Sequence, residues 1–189
     1  LLARLFTVKS RLNSGNPDAI FSAKAVEEWR HVTRLDPRNS EAWAFLSEFS
    51  ERRGQVSEHI EALRKWVSAA GSLDPQFYGL IMGAEASLTP EAATIKLGRA
   101  LVKANRRNEA IEILSALIVD EPGNAEAIGL LGEAVETADG DSARTALQGL
   151  QQAVFASPEN VPLVDLLARL QSRLGQFESA EKLLRSSAQ

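Results

Sequence analysis

Apolar residues recur along this chain with the period of a helix rather than a strand. Ile111, Leu114, Leu117 and Ile118 form one stripe, and Leu163, Leu166, Leu167 and Leu170 form another; such spacings place each set on a single helical face. Between the stripes run Ala, Leu, Glu, Arg and Gln, all good helix formers, and β-branched residues are thin. The starts of the helical patterns carry caps. Thr89-Pro90-Glu91 offers a hydroxyl at the N-cap, proline at the first helical position and an acid in the first turn, and Asn124 and Asn160 precede their patterns in the same way. The chain therefore predicts helices near 1–13, 18–34, 40–53, 56–70, 91–104, 107–119, 125–138, 142–156, 161–174 and 177–188. That is an all-α protein of antiparallel helix pairs.

The breaks between pairs look alike: Leu35-Asp36-Pro37, Leu73-Asp74-Pro75, Asp120-Glu121-Pro122 and Ser157-Pro158-Glu159-Asn160. Proline lacks the donor a helix needs and disfavours helical geometry in the residue before it, so each break ends a pair. The four prolines lie 38, 47 and 36 residues apart, a helix–turn–helix period of about 34 with insertions. Repeats numbered so that this proline is position 32 start at Ser40, Glu91, Ala125 and Val161. Position 7 is then Leu46, Leu97, Leu131 and Leu167, and position 8 is Ser47, Gly98, Gly132 and Ala168. Counted back from the prolines, position 20 is Ala25, Ala110 and Ala146 and position 24 is Trp29, Leu114 and Leu150; counted forward in the last repeat they are Ala180 and Leu184. A small residue at 8 is expected to face a small residue at 20, letting the helices approach. Position 15 reads Gly54, Asn105, Asp139 with Gly140 next, and Gly175, residues that tolerate left-handed backbone.

This pattern resembles the tetratricopeptide repeat family. Trp43, Leu46 and Gly54 carry the likeness in one repeat, Leu97-Gly98, Ala110, Leu114 and Pro122 in the next, and Leu131-Gly132, Ala146, Leu150 and Pro158 after that. Departures mark it as degenerate: position 4 is Trp43 and then Thr94, Ile128 and Val164, position 11 is never Tyr, and His59 stands where a small residue is expected. The resemblance implies a right-handed α-solenoid of stacked antiparallel helix pairs, a tetratricopeptide-like superhelix. Its expected divisions are N-terminal repeats over 1–75, an irregular apolar insertion or hinge over 76–89, and C-terminal repeats over 90–189. The insertion, QFYGLIMGAEASLT, holds the single Tyr and the single Met. It reads either as a short element tucked against the core or as an apolar docking patch of Phe77, Tyr78, Leu80 and Met82.

Composition narrows the chemistry. The net charge is −4 and the pI near 5.3, without the basic footprint of a nucleic-acid binder. Residues 1–89 carry 11 basic and 11 acidic side chains, and residues 90–189 carry 10 and 14. With no cysteine, disulfides and thiolate zinc sites are excluded, and cytoplasm and periplasm both remain compatible. The longest nearly apolar run, residues 77–84, falls far short of the roughly 20 residues that span a bilayer. The chain opens on Leu1 inside an apolar pattern, which suggests a piece cut from a longer protein. His31 and His59 each lie in a second helix with no further ligand at metal spacing, so they read as structural. Asp139-Gly140-Asp141-Ser142 lacks the alternating acceptors and closing Glu of a calcium loop and reads as a turn with a cap. Phosphate-cradling, Gly-x-Ser-x-Gly and His-Glu-x-x-His motifs are absent. The expectation is a non-enzyme needing no cofactor and no metal.

In the family, positions 2, 5, 9, 12 and 13 of the first helix line a concave groove. Carried over, they give Glu41, Ala44, Glu48, Glu51 and Arg52; Ala92, Ile95, Arg99, Val102 and Lys103; Glu126, Gly129, Glu133, Glu136 and Thr137; and Pro162, Asp165, Arg169, Ser172 and Arg173. Glu48, Arg99, Lys103, Glu133, Glu136, Arg169 and Arg173 are the candidate partner-binding residues. The carboxylate clamp of the chaperone-tail binders is missing, because position 5 is Ala44, Ile95, Gly129 and Asp165. The favoured function is a scaffold or adaptor that binds a protein or peptide partner, with no nucleic acid, no membrane insertion and an undetermined oligomeric state. The alternative is a regulatory or substrate-recruiting arm of a larger enzyme or of a secretion or assembly machine. RNA binding, as in the pentatricopeptide family, is disfavoured by the acidic balance.

Overall fold

The proline breaks fold into one repeated turn. The computed structural model describes residues 1–14, 20–69, 71, 73–74, 77 and 89–187. In it, Asp36, Glu121 and Ser157 close the preceding helices by donating their amide N–H to the carbonyls of Val32, Leu117 and Ala153 at 2.8, 2.8 and 2.9 Å. Each then leaves helical geometry, with φ/ψ of −134°/87°, −128°/74° and −140°/70°, in the extended region that a following proline or turn enforces. Asn39, Asn124 and Asn160 restart the helix: their side-chain oxygens accept from the N–H of Ala42, Ala127 and Leu163 at 3.0, 3.0 and 3.3 Å. Pro75, the fourth break, lies outside the described residues.

Among the described residues there are ten helices and no strand. They are α1 (Leu2–Ser14), α2 (Ala23–Leu35), α3 (Ser40–Arg52), α4 (Val56–Ala69), α5 (Pro90–Lys103), α6 (Arg107–Asp120), α7 (Ala125–Val135), α8 (Gly140–Ala156), α9 (Val161–Arg173) and α10 (Phe177–Ser187). Two starts differ from expectation by two residues or more. Helix α2 begins at Ala23 rather than near residue 18, because the Ser22 hydroxyl caps it through the Ala25 N–H at 3.4 Å, after a 3₁₀ turn at Ile20 and Phe21. Helix α8 begins at Gly140 rather than 142, because Asp139 accepts from the Ser142 N–H at 2.8 Å.

Two compact units divide within α5: Leu1–Leu97 and Gly98–Gln189. In the first, α1 packs on α2, α2 on α3, and α3 on α4. Its core is aromatic. Trp29 stacks on Phe45 with ring centres 5.3 Å apart, and Phe21 lies 5.1 Å from Phe45 and 6.0 Å from Phe49. The Trp29 indole N–H donates at 3.0 Å to the buried Thr7 hydroxyl, which in turn donates to the Ala3 carbonyl at 2.8 Å, so a buried polar edge is satisfied. His59, the odd residue at position 20, donates from Nδ1 to the Ser47 carbonyl at 2.8 Å. It thus bridges positions 20 and 8 with a hydrogen bond where two small residues would simply touch.

In the second unit α6 contacts both α7 and α8, α7 contacts α8 and α9, and α9 contacts α8 and α10. Leu101, Ile111, Leu114, Ile118, Leu131, Leu150 and Leu163 are fully buried. The expected role of position 8 needs correcting. A Cβ on Gly98 would meet Leu114 Cδ2 at 2.7 Å, so this glycine makes room for the position-24 leucine rather than for Ala110. Gly132 faces Leu166 of α9 at 3.7 Å and is not tight. A close backbone approach lies elsewhere: a Cβ on Gly149 would meet Ser115 Cβ at 2.9 Å and the Ser115 carbonyl at 3.2 Å. This is where α8 presses on α6.

Candidate partner-binding face

Helix α7 sets the face. Capped by Asn124, it turns Ala127, Ile128, Leu130, Leu131, Ala134 and Val135 into the core. Glu126, Gly129 and Glu133 share the opposite, exposed side, with Glu136 just past the last turn. A side chain built on Gly129 would meet nothing within 4 Å, so the space above it is open. Glu126 reaches across to α5, where Arg99 pairs with it. Both are about half exposed.

On α9, Arg169 and Asp165 pair at 2.5 Å one turn apart. Arg173 has a different task from the one the repeat position suggested. Its guanidinium donates to the Val135 carbonyl and, at 2.8 Å, to the Ala138 carbonyl. The Val135 carbonyl, which also accepts the Ala138 N–H at 3.3 Å, closes α7, and the Ala138 carbonyl lies in the turn just beyond it, so the cation sits at the C-terminal end of that helix, where it is favoured. Arg173 is thus a cap shared between neighbouring repeats. At the other end of the same joint, the Asn160 amide donates to the Pro122 carbonyl at 2.8 Å. Lys103, Glu133 and Glu136 are exposed and form no ion pair among the described residues.

The same repeat positions in the first unit are occupied by the chain itself. Glu41 accepts from Arg4 Nη2 at 2.7 Å and Nε at 3.1 Å, and Arg4 Nη1 donates to Asp74 at 3.0 Å. The hydrogen bond to Glu41, ahead of the opposing desolvation, raises the Arg4 pKa further above its ordinary value. Ala44 is buried, Glu48 pairs with Arg52 at 3.0 Å, and the Arg52 guanidinium lies 5.1 Å from the Phe21 ring centre. Phe77 is buried 6.2 Å from Trp29, with the Arg4 guanidinium 4.5 Å above its ring. Its ring therefore serves the core of this unit. Tyr78, Leu80 and Met82 lie outside the described residues.

Among the described residues no group of three His, Cys, Asp or Glu is placed to hold a metal ion, and no helix is long and apolar enough to cross a membrane. His31 is exposed beside Arg34, 3.3 Å from its guanidinium.

Residues 95–161 match the sequence profile of the Tetratricopeptide repeat family. No curated protein matches the chain. A crystal structure of MamA protein superposes with a TM-score of 0.51 at 17% identity, covering 98% of this chain and 90% of that one. A second MamA crystal structure gives 0.49 at 18% identity, over 94% and 90%. MamA 41-end from Desulfovibrio magneticus RS-1 gives 0.47 at 17%, over 99% and 92%. The first of these likenesses is one of fold. Tetratricopeptide repeats are protein-interaction scaffolds in general and are typically not catalytic. Residues 95–161 thus carry Tetratricopeptide repeat sequence, in a chain whose described residues fold as repeated helix pairs.

Proposed function

We propose that this chain is a non-catalytic adaptor whose α7–α9 face holds an extended, Lys- or Arg-bearing segment of a protein partner. The observation that carries the reading is the open space over Gly129, flanked by the exposed Glu133 and Glu136. Arg99 is engaged by Glu126 and Arg169 by Asp165, which leaves Glu133 and Glu136 as the acids beside Gly129 without an ion pair among the described residues, while the exposed Lys103 and the carbonyl-bonded Arg173 keep their charge. A basic segment gains association rate and orientation from such a face more than raw affinity, and the gain shrinks with salt because the Debye length is about 8 Å at physiological ionic strength.

The test is a fluorescence-anisotropy panel of unstructured peptides that differ in charge. Basic peptides should bind more tightly than acidic ones, and Glu133→Lys with Glu136→Lys should weaken them by about tenfold, near 1.4 kcal/mol. Gly129→Trp should abolish binding while circular dichroism keeps its helical signal. Equal retention of acidic and basic peptides, or indifference to all three substitutions, would remove the site from this face.

A further inference from the structure

The first unit carries a second concavity, on the opposite side of the repeat from the positions discussed above. A trough of about 600 Å³ runs between α2 and α4, with α3 as its floor. That volume lies within the usual range of binding pockets. Trp43, Leu46 and Phe49 make the floor apolar. Trp43 has its indole N–H satisfied by the Pro37 carbonyl at 2.8 Å, so it presents no unmet donor there.

The walls carry opposite charge. Arg30 and Arg34 line the α2 side, Glu58 and Glu61 the α4 side. Each pair is three or four residues apart, which makes a row along its helix. Arg30 and Glu58 form no ion pair among the described residues, and Glu61 is held only by an exposed contact with Lys65 at 3.6 Å. In the second unit the corresponding second helices, α6 and α8, press together through Ser115 and Gly149. Between α2 and α4 that direct contact is replaced by the trough.

We propose that this trough seats an amphipathic helix from a partner protein, with an acidic row toward α2, an apolar stripe over the α3 floor and a basic row toward α4. Three features fit a helix rather than an extended strand. The space lies between two helices, the charge rows repeat at helical spacing, and Trp43, Leu46 and Phe49 set an apolar stripe at helical spacing along the floor, as in helix-in-groove recognition. The opposed walls also fix direction, since a helix with its flanks exchanged would bring like charges together on both sides.

The experiment uses the full chain and a labelled synthetic helix of about four turns, roughly 14 residues, with a Leu/Phe stripe flanked by Glu on one side and Lys on the other. It should bind, and its charge-exchanged twin should bind about tenfold more weakly. Arg30→Glu with Arg34→Glu, combined with Glu58→Lys and Glu61→Lys, should reverse that preference. These four side chains lie on the exposed surface, and an unchanged melting temperature would show that the variant is folded. Glu133→Lys with Glu136→Lys should leave binding intact, which separates this site from the α7–α9 face. The proposal is overturned if neither helix binds or if both bind equally. It is equally overturned if a proline-interrupted peptide of the same composition binds as well, which would make the occupant extended. Self-association in sedimentation that the four-fold charge exchange dissolves would also overturn it, by making the occupant a second copy of the chain.

Discussion

Three asparagines do the same local work at three joints, and their substitution should separate capping from bridging. Asn124→Ala removes the bond to the Ala127 N–H and a local 3.1 Å bond from its amide to the Glu121 carboxylate, and should cost about 1 kcal/mol, the usual value of an N-cap. Asn160→Ala removes the equivalent bond to Leu163 and also the 2.8 Å bond to the Pro122 carbonyl, so urea melts should show the larger loss for Asn160. Equal losses would mean that the bridge between joints contributes no more than the local Asn124–Glu121 bond. The capping role of Asn124 and Asn160 was legible in the sequence, because an asparagine three residues before an apolar run is a local signal. The bridge was not, because it depends on where a neighbouring repeat places its carbonyl. Asp139 adds a pH dependence. The Ser142 N–H, and then Asn108 at 2.8 Å, favour its ionised form and hold its pKa below the ordinary 3.8. Because the folded pKa is the lower one, the stabilisation is fully present above the unfolded value and is lost as pH falls through the folded value. A plot of melting temperature against pH should therefore fall less steeply below about pH 4 for Asp139→Asn than for the wild type. Parallel curves would show that the carboxylate's charge is irrelevant to the cap.

At the scale of helices, loop length decides which residues are needed. The turns between α3 and α4, α5 and α6, and α9 and α10 have three residues each. Each places its second residue in left-handed backbone: Gly54 at φ 66°, Asn105 at 59° and Gly175 at 76°. The following N–H then reaches back five residues, from Gln55 to Ser50, Arg106 to Leu101 and Gln176 to Gln171, the paired bonds of a Schellman close. Between α7 and α8 the turn has four residues, and Asp139 sits at φ −68° as an N-cap instead. One added residue relieves the need for a positive φ. Gly175→Ala should consequently cost about 1–2 kcal/mol. Gly132→Ala, inside α7 with its nearest neighbour at 3.7 Å, should stabilise by about 0.5–1 kcal/mol. Gly149→Ala should do the opposite from within α8, losing about 1–3 kcal/mol as its methyl is forced against Ser115 backbone and Cβ. Chemical denaturation of the three variants would check the ordering, and a neutral Gly149→Ala would show that α6 and α8 separate freely. Periodicity, proline joints and left-handed turns all announced themselves in the sequence because each is a short-range pattern. The Gly149–Ser115 contact did not, since it joins second helices of successive repeats and leaves no spacing signature. The self-covered face of α3 was equally hidden: nothing local to Glu41 or Ala44 reveals Arg4 and Phe21 above that helix.

Across the whole chain, the two units differ in what they leave for partners. In Leu1–Leu97 the first-helix positions are occupied by Arg4 and Phe21, and the open concavity lies between second helices. In Gly98–Gln189 the second helices α6 and α8 press together, and Glu126, Gly129, Glu133 and Glu136 are exposed on the first-helix side of α7. The acidic excess of residues 90–189 is thus concentrated in the half that presents this face. Each unit has its own buried core, and helical repeats draw their stability from nearest neighbours rather than from distant pairings. A fragment of residues 90–189 keeps α5 whole together with α6 to α10, and it should fold alone with a helical dichroism spectrum and a cooperative urea transition. It should retain the basic extended peptide and lose the amphipathic helix, whose seat lies within residues 30–62. The full chain should bind both probes at once without competition. A fragment that is unfolded would show that its core depends on the residues before α5. A folded fragment that still takes the helix would place that ligand on the α7–α9 face, and competition between the probes in the full chain would reduce the two sites to one.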